Sequence, residues 1–352
     1  MELTRRKEKE TLAQQRGGAV ASGQRRECGP DDWGGKKTLR PWQGIVFFLV
    51  VMAAFFAVCV PVQMAWGIYG LALTELLILA LALLFALAVR RPWREIFPVY
   101  RIHGLPVLGT VIIWICSLLV CMVVTLVQYR LFPQAMSQAI GSLGSVMGSA
   151  PTAVGVIIVC LMPAVCEEAV HRGVILSCMR PLKKTWLIVL VLGILFGLFH
   201  TSPFRFLPTA ILGASITYIV VKTGNMVYGA IFHCVNNLVP LLAQHALLAQ
   251  GEQQLADTYE SLGSTAIPVA SIGMYLAMAA VVPFGLYLGR DLLLRIPGTS
   301  RRFWPRGQET RMAMKILIPS LVIFGAGVIL TAAGIFLFPD YFDLVRQARL
   351  SP

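Results

Sequence analysis

The feature that most constrains this chain is a succession of long apolar stretches separated by short polar loops. A helix of about 20 apolar residues crosses the roughly 30 Å hydrocarbon layer of a bilayer, and a helix satisfies its own backbone groups there. The chain is 57% hydrophobic and only 13% charged, whereas about a quarter of the residues in soluble domains are charged. The sequence therefore predicts an all-α, polytopic transmembrane helical bundle.

Apolar length alone predicts about nine spans, the sixth of which is short. They run approximately over residues 44–65, 67–89, 104–127, 152–178, 185–203, 207–221, 225–246, 266–289 and 315–338. The preceding residues 1–40 are polar and basic and are predicted to be a disordered tail. The first apolar run is long enough to remain as a span, so no signal peptide is predicted. Segment 134–150, rich in small residues, is interpreted as a flexible loop rather than an interfacial or re-entrant segment.

The net charge of +13 is distributed as expected for membrane topology. If the N-terminus is cytoplasmic, the predicted spans place twenty-five Lys and Arg residues on the cytoplasmic side and four on the other. Cytoplasmic loops are enriched in Lys and Arg, so this excess predicts the orientation. Because the basic residues are divided among the tail and short loops, the pattern argues against nucleic-acid binding.

Ionisable residues within the predicted spans are few, and such residues are functional candidates by default. Counted from the nearest cytoplasmic Lys or Arg at 1.5 Å per residue, Glu167, His200 and His233 lie at depths of about 20, 24 and 16 Å. Three spans thus bring polar groups to a similar level within the membrane. The full set comprises Glu75, Glu167, Glu168, His171, Arg172, His200 and His233, with the amides of Asn236 and Asn237.

Helical spacing separates the roles of the two adjacent carboxylates. Glu168 and Arg172 are i and i+4, so they share a helix face and can pair. Glu167 lies about 140° away from Arg172 around the helix, at 3.6 residues per turn, and is left free to face a cavity. His233 and Asn237 also share a face by the same spacing.

Three motifs carry a resemblance to a known family. EExxxR (Glu167, Glu168, Arg172), FxxxH (Phe196, His200) and HxxxN (His233, Asn237) follow one another on successive spans. In this order they resemble the CPBP family of intramembrane proteases, which includes the eukaryotic CAAX prenyl endopeptidase and bacterial proteins linked to bacteriocin self-immunity. The resemblance covers about residues 150–245. It predicts a CAAX-endopeptidase-like core within residues 151–246, preceded by N-terminal spans in 41–150 and followed by a loop and two extra spans in 247–352.

The resemblance also implies roles for the site residues. Glu167 and His200 would activate a water for attack on a peptide carbonyl, and His233 and Asn237 would stabilise the oxyanion. Glu168 and Arg172 would support the architecture of the site. Donors to an oxyanion act more strongly where bulk water is excluded, so a buried site suits this chemistry.

Several residues have more than one interpretation. His171 stands where the family commonly has Phe, and it could carry protons, bind a ligand or replace an aromatic ring, the last being favoured. Glu75 could line the cavity or play a structural part, and Asn236 adds a second amide beside Asn237. Glu167, His200 and His233 could ligate a divalent metal such as Zn²⁺ in the number that a catalytic site needs. No HExxH motif is present, and a tightly held zinc is slightly disfavoured.

The leading hypothesis is an intramembrane endopeptidase, metallo- or glutamate-type, acting on a membrane-associated protein or peptide. It would be a multi-pass protein of a bacterial inner membrane, in contact with the lipid bilayer. Two alternatives are an ion-coupled transporter, because buried acids and histidines also build proton paths, and a non-catalytic immunity or scaffold protein on the same fold. No internal repeat supports the transporter.

Overall fold

The computed structural model describes residues 39–249, 251, 267–295, 303, 307 and 309–337. Helices occupy most of this part of the chain, and none of it forms a strand, so the all-α prediction is confirmed. In chain order the long helices are α1 (Pro41–Val89), α2 (Gly104–Leu131), α3 (Pro133–Gly148), α4 (Thr152–Leu182), α5 (Thr185–Phe199), α6 (Pro203–Thr223), α7 (Met226–Leu248), α8 (Val269–Leu293) and α9 (Glu309–Leu337). Nearly all of the tail predicted for residues 1–40 lies outside the described residues.

Seven of these helices are long and apolar enough to cross a membrane, within the described part of the chain. The predicted count of nine is therefore not confirmed. The count of seven takes the 49-residue run α1 as one helix, although its backbone leaves helical φ and ψ at Gly67, between the first two predicted spans. It also leaves out α5, the fifth predicted span, whose 15 residues are fewer than a span usually requires.

The run α1 reverses direction at Gly67. The backbone there has φ 54° and ψ −127°, a conformation that glycine adopts without steric cost. The chain folds back closely enough for the Gln63 amide to donate to the Thr74 hydroxyl at 2.8 Å. A side chain at Gly70 would collide with the carbonyl oxygen of Val62, so glycine is also needed where the two arms meet. The turn keeps both arms of α1 beside α4.

Segment 134–150 is not a loop, and that interpretation was wrong. Residues Pro133–Gly148 form α3, begun by a proline at its first position. Small residues had suggested flexibility, but Met136, Gly144 and Met147 are buried against the rest of the protein. Packing of this face stabilises a helix that its composition alone would not.

Helix α4 lies at the centre of the bundle. In its most apolar window 61% of residues are buried, compared with 6% for α9, which exposes most of its length as a lipid-facing helix would. The predicted acids are on α4, flanked by π-helical turns over Val156–Leu161 and Ala169–Ile175. Such turns occur often at functional sites, because they rotate the following side chains relative to a regular helix.

Helix α5 ends at Phe199 and does not continue to residue 203 as predicted. Thr201, which follows the helix, has a φ of 54°, an uncommon value for a residue with a side chain. The 15 residues of α5 extend about 22 Å at 1.5 Å per residue. Helix α5 is therefore shorter than the roughly 30 Å thickness of a hydrocarbon layer.

Candidate functional site

The site is built around a fully buried ion pair on α4. Arg172 Nη1 lies 2.8 Å from Glu168 Oε1, and both side chains are 0% exposed. The pair predicted from the i, i+4 spacing therefore forms. A buried charge is tolerated only when it is paired and hydrogen-bonded, so each member depends on the other.

Arg172 also contacts α5 and α6, although its Nε has no partner among the described residues. Its Nη2 donates to the backbone carbonyl of Gly213 at 2.8 Å, and its guanidinium carbon lies 4.5 Å from the centre of the Phe196 ring. The Thr217 hydroxyl donates to the same Gly213 carbonyl at 2.7 Å. Arginine combines these contacts because its planar group donates at its edge and stacks on aromatic faces.

His233 on α7 lies between the two adjacent carboxylates. Its Nδ1 donates to Glu168 Oε1 at 3.0 Å, and its Nε2 lies 3.8 Å from Glu167 Oε2. Glu168 therefore serves both Arg172 and His233, and it fixes the orientation of the imidazole. The hydrogen on Nδ1 is used in the hydrogen bond to Glu168. Nε2 is therefore the nitrogen that can exchange a proton with Glu167.

A cavity of about 480 Å³ opens beside these groups. All four residues predicted to be catalytic line it: Glu167, His200, His233 and Asn237. Glu167 Oε2 makes no hydrogen bond to the described residues although it is buried. Because Glu167 itself lines the cavity, its carboxyl group can meet a water or a substrate there.

His200 occupies the C-terminal cap of α5. Its Nδ1 lies 2.9 Å from the Phe196 carbonyl, which can only accept, so Nδ1 carries the hydrogen and Nε2 is the basic nitrogen. Its ring also contacts the Phe196 ring, with the ring centres 4.9 Å apart. The FxxxH spacing thus has a structural reason, since Phe196 orients His200 through both its backbone and its ring.

The two amides on α7 differ in their contacts. Asn237 lines the cavity and donates to the Val159 carbonyl at 2.9 Å, which leaves its second N–H for another acceptor. Asn236 donates to the side-chain oxygen of Asn237 at 3.3 Å. Asn236 is not among the residues that line the cavity.

His171 packs as an aromatic ring would. It is 0% exposed, and its ring centre lies 5.0 Å from Phe196 and 5.2 Å from Phe199, both in edge-on contact. Its Nδ1 is bonded to the Glu167 carbonyl at 2.9 Å, and its Nε2 has no partner among the described residues. It does not line the cavity, so the geometry favours the interpretation of His171 as a replacement for the family's Phe.

Two further charged residue types line the cavity, one of them at a position that sequence reasoning assigned to a loop. Glu75 lines the cavity, is 2% exposed and has an Oε2 without a partner among the described residues. Arg205, counted as a loop residue, also lines it, because α6 begins at Pro203 and places the guanidinium at the cavity. Counting Lys and Arg on each side of the membrane could not show that Arg205 belongs to a helix that borders the cavity.

Glu167, His200 and His233 were predicted as possible ligands of a divalent metal, which would require all three side chains to meet at one point. Glu167 and His233 are near each other, but no group of three or more His, Cys, Asp or Glu side chains within the described ranges is gathered closely enough to hold an ion. These side chains thus do not form a preassembled zinc site as they stand.

The fold and the site define a multi-pass integral membrane protein with ionisable groups gathered around a cavity at the centre of the bundle. Residues 149–239, about a quarter of the chain, match the family model described as Type II CAAX prenyl endopeptidase Rce1-like. The match includes all three motifs and confirms the predicted resemblance to CAAX-type intramembrane proteases. No curated protein and no solved structure matches the chain.

Proposed function

We propose that this protein is an intramembrane endopeptidase in which Glu167 activates the attacking water. One observation carries the proposal: Glu167 lines the cavity, while the adjacent Glu168 is bonded to Arg172 and His233 and does not line it. Oε2 of Glu168 also lacks a partner among the described residues, but of the two acids on α4 only Glu167 lines the cavity. The family match supports the same class of reaction.

In the proposed reaction, Glu167 accepts a proton from water as the oxygen attacks the peptide carbonyl carbon. The carbonyl π electrons move to oxygen and give a tetrahedral oxyanion. When this collapses, the C–N bond breaks and the amine leaves with the proton that Glu167 accepted. A new carboxylic acid and a new amine are formed, and the enzyme returns to its starting protonation state.

The oxyanion needs hydrogen-bond donors that are fixed before the reaction. The unused N–H of Asn237 can supply one, and Nε2 of His233 can supply another when it carries a proton. Glu168 and Arg172 together carry no net charge, so a protonated His233 is balanced by an ionised Glu167. His200 lines the same cavity, and in this proposal its Nε2 shares the water proton with Glu167.

Cleavage of a quenched fluorescent peptide library by the purified protein in detergent tests this proposal. Glu167→Gln should abolish cleavage, because the amide cannot accept the proton, whereas Asn236→Ala should retain it. Cleavage is also measured in the presence of a chelator, which should inhibit an enzyme that depends on a labile metal and not a metal-independent one. Cleavage by Glu167→Gln at the wild-type rate would contradict the proposal, as would a wild-type protein that cleaves no member of a broad library.

A further inference from the structure

The cavity is bounded by turns and helix ends from one end of the bundle only. Gln63 and Leu71 flank the Gly67 reversal of α1, and Thr201 and Arg205 flank the turn between α5 and α6. Helix α3, which joins α2 to α4 at that same end, contributes several further lining residues, Ala139, Ser142, Leu143, Val146 and Met147. None of the connections at the other end of α1–α7 lines it.

The mouth is open at this end. Ser142 and Thr201 are exposed, and Val146 is 39% exposed, although all three line the cavity. Glu167, deeper in the bundle, is 8% exposed. The cavity therefore leads from this end of the bundle down to the carboxylate.

Charge distinguishes the two ends. Within residues 41–249, the connections and helix ends at the far end carry eight Lys and Arg residues: Arg90, Arg91, Arg94, Arg101, Arg180, Lys183, Lys184 and Lys222. The cavity end carries two, Arg130 and Arg205. Short loops rich in Lys and Arg remain in the cytoplasm. The far end is thus the cytoplasmic one.

We infer that the site opens to the non-cytoplasmic side of the membrane and takes its substrate from there. The substrate class, which rests on the proposed function, is an exported polypeptide or the non-cytoplasmic flank of a membrane protein. A peptide at the cytoplasmic C-terminus of a lipid-modified protein lies on the wrong face to reach Glu167. The apolar residues that α3 adds to the mouth favour a segment with apolar side chains over a highly charged one.

Cysteine labelling tests the side of access without requiring activity. Ser142→Cys and Lys183→Cys place exposed thiols at the cavity end and the far end, and the parent chain gives the background of its own cysteines, of which Cys234 is the least buried among those described. In spheroplasts, a charged, membrane-impermeant maleimide should label Ser142→Cys at once and Lys183→Cys only after permeabilisation. Ser145→Cys, also exposed on α3, replaces Ser142→Cys if that variant does not accumulate.

The reverse pattern, or a thiol at Ser142 and Ser145 that is unreactive from both sides, would overturn the inference. Cleavage is then measured with library peptides added to right-side-out or inside-out vesicles from the same cells. Cleavage only in right-side-out vesicles is expected, and cleavage only in inside-out vesicles would overturn the assigned side. If labelling follows the expected pattern but neither preparation cleaves, the side of access stands and the proposed protease function fails.

Discussion

His233 Nδ1 donates to Glu168 Oε1 at 3.0 Å, although the two residues are 65 positions apart in the chain. Glu168 is also 2.8 Å from Arg172, so one carboxylate joins α4 to α7 and neutralises a buried guanidinium. The adjacent Glu167 is thereby the carboxylate that remains for the cavity. Two neighbouring residues of the same type should consequently respond very differently to the same substitution.

Glu168→Gln should destabilise the fold, whereas Glu167→Gln should leave it stable. Removing the charge of Glu168 leaves Arg172 buried without a carboxylate, which costs about 3–5 kcal/mol in comparable pairs. Thermal unfolding in detergent measures this difference, with Glu167→Gln as the matched control one residue away. The double variant Glu168→Gln/Arg172→Met should recover much of the loss, since no unpaired charge remains. Equal unfolding temperatures for the two single variants would contradict the structural role of Glu168.

Asn237→Ala should reduce kcat far more than Asn236→Ala. Loss of one oxyanion donor costs about 10²–10³ in kcat in well-studied hydrolases. Asn236 bonds to Asn237 and does not line the cavity, so its truncation should have a small effect. Steady-state cleavage rates of the two variants, at matched thermal stability, measure the difference. Similar losses in both would remove Asn237 from the proposed oxyanion site.

His171→Phe should retain both stability and activity. The ring is packed edge-on between Phe196 and Phe199, and its Nε2 is buried without a partner in the described part of the chain. A buried polar atom without a partner costs roughly 1–3 kcal/mol, so phenylalanine should be neutral or stabilising despite the lost bond to the Glu167 carbonyl. His171→Asp is the contrasting variant and should destabilise. A His171→Phe protein that is folded but inactive would show that the imidazole takes part in the chemistry.

Gly213→Ala should disturb the site from α6. A methyl group there would lie 2.6 Å from Cβ of Phe196, the residue that orients both Arg172 and His200. Overpacking of this kind costs about 1–3 kcal/mol. Gly141→Ala on α3 is the matched control, because nothing lies within 4 Å of its added methyl. Thermal unfolding should therefore separate the two variants, and equal stability would show that Phe196 can move without loss.

Part of the site could be predicted from sequence because it depends on spacing within single helices. The Glu168–Arg172 pair follows from four residues of separation, and Phe196 lies one turn before His200 for the same reason. The contact between Glu168 and His233 could not be predicted in this way, because the rotation of α7 relative to α4 is set by packing of the whole bundle. Spacing predicted that Glu167 would be free, but it contained no signal that His233 would lie beside it.

Misplaced boundaries account for the remaining differences. Arg205 was counted with a loop because charge normally marks the end of a span, yet α6 begins two residues before it and brings it to the cavity. The small residues in α3 predicted a loop because the composition of a segment does not show which surface it packs against.

Because α5 is short, the proposed reaction should depend on the thickness of the bilayer. This helix has 15 residues and reaches about 22 Å, roughly 8 Å less than an average hydrocarbon layer. Local thinning of the bilayer is one way to accommodate a short helix, at a modest cost per ångström of mismatch. Longer acyl chains would raise that cost and bury the turn that carries His200 more deeply beneath lipid. The composition of the surrounding membrane would then regulate turnover without any ligand binding to the protein.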